Sequence, residues 1–464
     1  MTYLAGFAPW IAFWVLAARN GDERRTLLVA CAVALAVSLV SLLLQRRTVG
    51  VSSLDIGSIA FFAGFAVATQ LADDTWLATY NQFVSNTALF LIVGVGLLLG
   101  HPFTQTYARA AVPETMWREP HFVHSNQVIA RVWVAVFAVM ALSSGLLLLV
   151  PVTTTSELVL NWVVPFGAFG SAIAWQTHYV AAGIERGRAA AAARMATPIE
   201  PGAAVVSGVD HVTTTLPLEE ARRLAGVLTD RLHLVRAWNW ADFGDFASGG
   251  WRIGNVNLEV IGLAPTSAAA PYLPDRFVTL APVSTEGLAE ELARRGLTCS
   301  DPYPQSDDHG RLLYTRYELP DLSDRFVAQL CAYAMGSGGV DAESRPNPAG
   351  FRHVTGVRIG SRDPDRALAR WGSLLAPVTA EDGRFTPVTG PAVSVERAGD
   401  DDVVGLSVEV DDVDAALGVL RDAGLDVRDG VVALGTLPVR LVAVGARAGA
   451  PAPATAPGAA ASAG

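Results

Sequence analysis

From Met1 to Glu200 the chain consists of long apolar runs with charge confined to their ends, and this pattern leaves few folds open. The runs are Tyr3–Ala18, Thr26–Gln45, Ile56–Ala72, a span within Gln82–Gly100, Val128–Val150 and Leu158–Ala182. Crossing a hydrocarbon core takes about 20 helical residues. Inside lipid the backbone polar groups must be satisfied within the segment, so such runs are expected as helices. The first run has no basic leader and no clean small-residue cleavage site, and it reads as a retained helix rather than a signal peptide. Six transmembrane helices are therefore expected over residues 1–184.

Composition shows two unlike parts. The whole chain is 51% hydrophobic and 17% charged, against about 25% charged in an ordinary soluble domain. Residues 1–200 hold 11 arginines and 10 acidic side chains, whereas 201–464 hold 23 and 34, so net charges of +1 and −11 make up the −10 of the chain. No lysine occurs, which excludes a lysine Schiff base or a P-loop lysine. The acidic balance also excludes nucleic acid, whose phosphates need a basic face. Cys31, Cys299 and Cys331 are far apart without CxxC spacing, so they form neither a zinc ribbon nor a disulfide scaffold and read as buried small hydrophobes.

Arginine placement sets the expected orientation. With the N-terminus inside, the inner segments carry Arg46, Arg47, Arg109, Arg118, Arg131, Arg186, Arg188 and Arg194, against Arg19, Arg24 and Arg25 outside. Both termini and the acidic C-terminal half are thus expected in the cytoplasm, with the lipid bilayer as the partner of the first half. No run carries an ionisable side chain at mid-depth, which argues against an ion path or proton relay. His178 reads as an interfacial residue. The inner loop 101–133 carries His101, His121 and His124, but a His-x-x-His pair without a third ligand reads as a membrane-surface loop rather than a metal site. Residues 185–207 read as a linker whose alanine-rich start extends the last helix until Pro198 and Pro201 stop it. The Ala/Pro/Gly tail 446–464 is expected to be disordered.

Residues 208–445 show a repeated pattern of strand, amphipathic helix and further strands. The four units open at Gly208-Val209-Asp210-His211-Val212, Asp275-Arg276-Phe277-Val278, Phe351-Arg352-His353-Val354 and Val403-Val404-Gly405-Leu406. Each helix carries apolar residues at helical spacing, as in Val413, Ala416, Leu417 and Leu420. Units one and two fill 208–335, and three and four fill 336–445. Asp210-His211-Val212, Asn257-Leu258-Glu259-Val260 and the VEVDDVDAALGVLRDAGLDV run resemble the βαβββ modules of the vicinal oxygen chelate superfamily, the glyoxalases and extradiol dioxygenases, and most nearly its glyoxalase-like branch. The resemblance covers about half the chain. The expected fold is thus an all-α six-helix membrane domain followed by an α+β domain of repeated βαβββ modules.

In that family two modules curl into a cup that holds a divalent metal through His on first strands and Glu on last strands. The resemblance places His211 and Glu259 as metal ligands in module one and repeats the pair as His353 and Glu396 in module three. It implies a divalent ion, Mn, Fe, Ni or Zn, polarising a small oxygenated substrate. Phe277 and the neighbourhood of Leu406 take the histidine's place in modules two and four. If consecutive modules pair, a third ligand such as Glu318 is needed; if modules one and three face each other, two His and two Glu converge. Alternation puts Glu259 on the face of Asn255 and Asn257, opposite Val256, Leu258 and Val260, as expected for a strand lining a wet cavity. The plainer alternatives are that His211 is satisfied by the backbone and that Glu259 pairs with an arginine such as Arg252. The aromatic, glycine-rich segment Arg236–Trp251 is either a lid over the cup or a loop packed on itself. Two functions remain open: a membrane-anchored metal-dependent lyase, isomerase or dioxygenase, or a metal-free small-molecule binding module whose cup is lined by Trp238, Trp240 and Trp251.

Overall fold

A computed structural model describes residues 6–18, 23–45, 50–71, 76–110, 112, 114–265, 267, 274–306, 310–323, 325–334, 346–399 and 404–445. The tail 446–464 lies outside them. The chain divides into two compact units, Met1–Glu185 and Arg186–Gly464.

The first unit is helical. Its helices are α1 (Ala8–Ala17), α2 (Glu23–Gln45), α3 (Ser53–Leu71), α4 (Asn81–Leu98), α5 (Phe103–Arg109), α6 (Pro120–Gly145) and α7 (Val164–Met195). Five helical stretches are long and apolar enough to cross a membrane. The sequence suggested six, but α1 has ten described residues, about 15 Å of helix. Among the described residues it is too short to span alone. Close aromatic packing and interhelical polar contacts join the helices. An aromatic cluster joins Phe7, Phe103, Trp133, Phe137 and Phe169. Trp10 Nε1 donates to Ser58 Oγ at 2.8 Å, and Asn86 Nδ2 to Ser144 Oγ at 2.8 Å. Asp55 sits in the first turn of α3, where the helix dipole favours an anion. Its Oδ2 accepts from Ser52 Oγ at 2.7 Å. His101, His121 and His124 are exposed, and no group of three His, Cys, Asp or Glu suited to a metal occurs among the described residues.

In the second unit, β1 (Val206–Pro217), α8 (Leu218–Gly226), β2 (Arg236–Asp242), β3 (Phe246–Ile253) and β4 (Val256–Leu263) form module one. Module two is β5 (Arg276–Pro282), α9 (Leu288–Arg294), β6 (Tyr303–Ser306), β7 (Leu312–Glu318) and β8 (Val327–Tyr333). Together they make one sheet of order β2-β3-β4-β1-β5-β8-β7-β6. Within each module the first and last strands run parallel, and the modules join antiparallel through β1 and β5. Module four repeats the plan, and module three repeats it with one strand fewer. Their elements are β9 (Phe351–Ser361), α10 (Pro364–Leu375), β10 (Arg384–Phe385), β11 (Ala392–Arg397), β12 (Val404–Val410), α11 (Val413–Asp422), β13 (Val427–Arg428), β14 (Val431–Leu434) and β15 (Leu437–Ala443). They form a second sheet of order β10-β11-β9-β12-β15-β14-β13. This β-rich half carries the strand, helix and further strands that the sequence predicts in each unit, although module three has two strands after its helix where three are expected. Consecutive modules therefore pair, and modules one and three lie in different sheets.

Strand alternation divides each sheet into two faces. In the first sheet Val212, Leu216, Val256, Leu258, Val260, Val278 and Leu280 pack with Ala221, Leu224 and Leu292 of the helices in one core. The intervening residues of the same strands form the opposite, concave face.

Candidate functional site

The concave face is fixed by register. His211 lies opposite Thr279, and Thr213 opposite Phe277; Thr213 lies beside Glu259, and Thr279 beside Gln329. Cross-strand neighbours share a face. A pseudo-two-fold axis through the Val212 and Val278 pair thus relates His211 to Phe277, Thr213 to Thr279, and Glu259 to Gln329.

His211 and Glu259 are brought together. His211 is 5% exposed. Its Nδ1 lies 2.7 Å from Asp210 Oδ2 and its Nε2 3.4 Å from Glu259 Oε2. Thr213 Oγ1 donates to Glu259 Oε2 at 2.9 Å, and Ser248 Oγ to Oε1 at 2.6 Å, so strands β1, β3 and β4 all hold this carboxylate. Tyr333 OH donates to Asp210 Oδ2 at 2.9 Å, carrying β8 across β5 to module one. Burial alone would strip the proton from His211, but the hydrogen bonds and charges of Asp210 and Glu259 offset this and push the imidazole up to about 10. Burial likewise works against ionising Glu259, yet His211, Ser248 and Thr213 together hold its carboxyl below the usual range. The His211 ring is therefore held between the carboxyl groups of Asp210 and Glu259, which favour its charged form. Glu259 is not paired with Arg252, whose Nη1 instead donates to Asn257 Oδ1 at 3.1 Å.

Trp238 closes one side, its indole meeting the His211 ring edge-on at 5.7 Å between centroids. This requires Gly250, where a Cβ would lie 2.4 Å from the Trp238 ring. The segment read as a lid or loop is the β2–β3 hairpin. Only Trp238 of its three tryptophans meets the histidine. Trp251 is buried in the core with Nε1 donating to Thr229 Oγ1 at 3.0 Å, and Trp240 packs beside it. A register shift between Trp238 and Ala241 separates the two aromatic positions. Tyr314, Cys331 and Tyr333 form the module-two wall, where Tyr314 and Cys331 both feel the Glu259 charge.

The donor set does not complete the metal site that the sequence resemblance implies. Both nitrogens of His211 are engaged by carboxylates. Module two contributes Phe277 and Gln329 where a second imidazole and carboxylate would stand. Glu318 is exposed and pairs with Arg316 at 3.8 Å. In the second sheet His353 is exposed, and Glu396 Oε1 accepts from Arg358 Nη2 at 2.6 Å. Glu396 lies beside Gly360, seven residues along β9 from His353, about 23 Å of strand. Asp210, Thr213, Ser248, Gln329 and Tyr333 escaped sequence reasoning as functional positions. Thr213 was within reach, two residues from His211 on one strand face; the others depend on strand pairing.

No protein-family model matches the chain, and no curated protein matches it. Several solved structures share similarity with about half of it. A triple mutant of 4-hydroxymandelate synthase from Streptomyces coelicolor is 15% identical, with 48% of this chain and 76% of that one covered and a TM-score of 0.33. A mutant of homoprotocatechuate 2,3-dioxygenase from Brevibacterium fuscum is 9% identical, with 53% and 74% covered and a TM-score of 0.32. The 2,2',3-trihydroxybiphenyl 1,2-dioxygenase from Sphingomonas wittichii RW1 is 15% identical, with 51% and 90% covered and a TM-score of 0.32.

Proposed function

We propose that modules one and two form a small-molecule binding cup without a resident metal, tethered to the cell membrane by the helical unit, with both termini and the cup in the cytoplasm. The observation that carries this reading is the closed Asp210, His211 and Glu259 network, in which both ring nitrogens of His211 and both oxygens of Glu259 already have protein partners. A small ligand in the cup meets Trp238 and the tyrosines as apolar walls and the carboxyl oxygens of the centre as acceptors. The arginine asymmetry and the five apolar helices support the membrane tether.

Full-length protein purified in detergent is expected to carry only trace Mn, Fe, Ni or Zn by elemental analysis, with thermal stability unchanged when these ions are added. Stoichiometric metal lost in the His211→Ala, Glu259→Ala double variant would overturn the reading. One observation favours a second function, a divalent-metal-dependent lyase, isomerase or dioxygenase acting on a small oxygenated metabolite. A carboxylate on the far nitrogen, as Asp210 is on Nδ1, is how metal-binding imidazoles are oriented. The metal would then be held by His211 and Glu259 and would supply Lewis acidity.

A further inference from the structure

We infer that Phe277 and Gln329 are the two positions at which this cup withholds a third metal ligand, so that a single substitution at either one converts it into a divalent-metal site. The inference rests on the metal-free reading above. The pseudo-two-fold sets Phe277 in the place of His211 and Gln329 in the place of Glu259. Phe277 is 4% exposed, yet it lies outside the packed core that takes in its strand neighbours Val278 and Leu280. By register its ring is on the concave face with Thr213, whose hydroxyl holds Glu259. Gln329 is fixed through its amide nitrogen, which donates to Thr279 Oγ1 at 2.9 Å. Its Oε1 is buried and has no hydrogen-bond partner. A buried acceptor without a donor costs free energy, and here it stands at the carboxylate position of module two.

The supports that a metal site needs are already in place around the other two donors. Asp210 orients the imidazole and Ser248 the carboxylate. A carboxylate at 329 would give a His, Glu, Glu set, and an imidazole at 277 a two-His, one-carboxylate set. Each is a three-donor arrangement that leaves positions open.

The test uses full-length protein in detergent as wild type, Q329E, F277H and Q329L, equilibrated with Mn²⁺, Fe²⁺, Ni²⁺ or Zn²⁺ and desalted. Elemental analysis and thermal shift are the readouts, with near-ultraviolet circular dichroism to confirm folding. Wild type and Q329L are expected to retain trace metal, and Q329E and F277H about one ion per chain with a raised Tm. Adding His211→Ala to Q329E should return the content to trace. Q329E is nearly isosteric, so it decides the matter if F277H fails to fold. Stoichiometric metal in wild type overturns both this inference and the reading beneath it. Trace metal in wild type and in folded Q329E overturns the inference alone.

Discussion

The two cups of the second unit share a strand plan apart from one outer strand, and they differ in what their first strands carry. In the first, His211 is buried, and carboxylates from its own strand and from β4 enclose it. In the second, the matching His353 is exposed, and the carboxylate on the neighbouring strand is bonded to Arg358. One topology thus yields a charged centre in one copy and a surface ion pair in the other. The difference comes from register, because Glu259 pairs two residues past His211 whereas Glu396 pairs seven past His353.

The sharpest way to break this contrast is to remove the two carboxylates separately. Glu259→Ala leaves a buried imidazolium with one partner and strands the Thr213 and Ser248 hydroxyls, a loss of about 3–5 kcal/mol for a broken buried pair. Glu396→Ala removes a partner that is 43% exposed and should cost about 0–1 kcal/mol. Denaturant unfolding followed by tryptophan fluorescence measures both. Equal losses would show that the first network contributes nothing special.

The second contrast depends on pH. The folded state raises the His211 pKa toward 10. Its stabilisation is therefore complete below the ordinary imidazole value of about 6.5 and drains away as pH climbs to 10. Glu259 is shifted down, so its contribution is present above about pH 4.5 and is lost on acidification. The stability gap between wild type and His211→Asn should be widest near pH 5–6, on the order of a few kcal/mol, and should narrow steadily into alkali. His353→Asn, an exposed change, should stay within about 0.5 kcal/mol. A His211 gap that widens with rising pH would contradict the imidazolium assignment.

These contrasts show what the sequence made legible. The apolar runs and the charge asymmetry reveal two unlike halves because each is a property of one segment. His211 and Glu259 stand out because each heads or ends a recognisable strand, and alternation in NVNLEV assigns Glu259 its face. Apart from the length of α1, the departures in the second unit depend on strand pairing and local irregularity. Sequence offered Glu318 as a third ligand, but it is exposed beside Arg316. It grouped three tryptophans, but the β2 irregularity separates Trp238 from Trp240 and Trp251. The resemblance pairs His353 with Glu396, 43 residues on, but a shared strand plan does not fix register. Tyr333 reaches Asp210 across 123 positions, and no local pattern signals that.

A smaller effect separates two glycines. Gly250→Ala drives a methyl into the Trp238 ring. Overpacking of this kind costs about 1–3 kcal/mol, and it should disturb the tryptophan emission reporting on the cup. Gly418→Ala in α11 meets nothing within 4 Å and should gain up to about 1 kcal/mol from helix propensity. No loss and no change in emission for Gly250→Ala would mean that the concave face does not depend on the indole.

The smallest expected effect lies in how the helices start. In the second cup Asp363 accepts from Arg366 N–H at 3.1 Å and Asp412 from Ala415 N–H at 3.0 Å, each satisfying one of the free donors of a first turn. In the first cup α8 starts at Pro217 and α9 at Gly287, without a side-chain cap. Asp363→Ala and Asp412→Ala should each cost about 1 kcal/mol, whereas Pro217→Ala removes no cap. Hydrogen exchange of the first-turn amides locates the loss. Faster exchange confined to α10 in the Asp363 variant and to α11 in the Asp412 variant is the expected outcome. Faster exchange at His211 or Glu259 in either variant would mean that the charged centre of the first cup is held in part by the helices of the second.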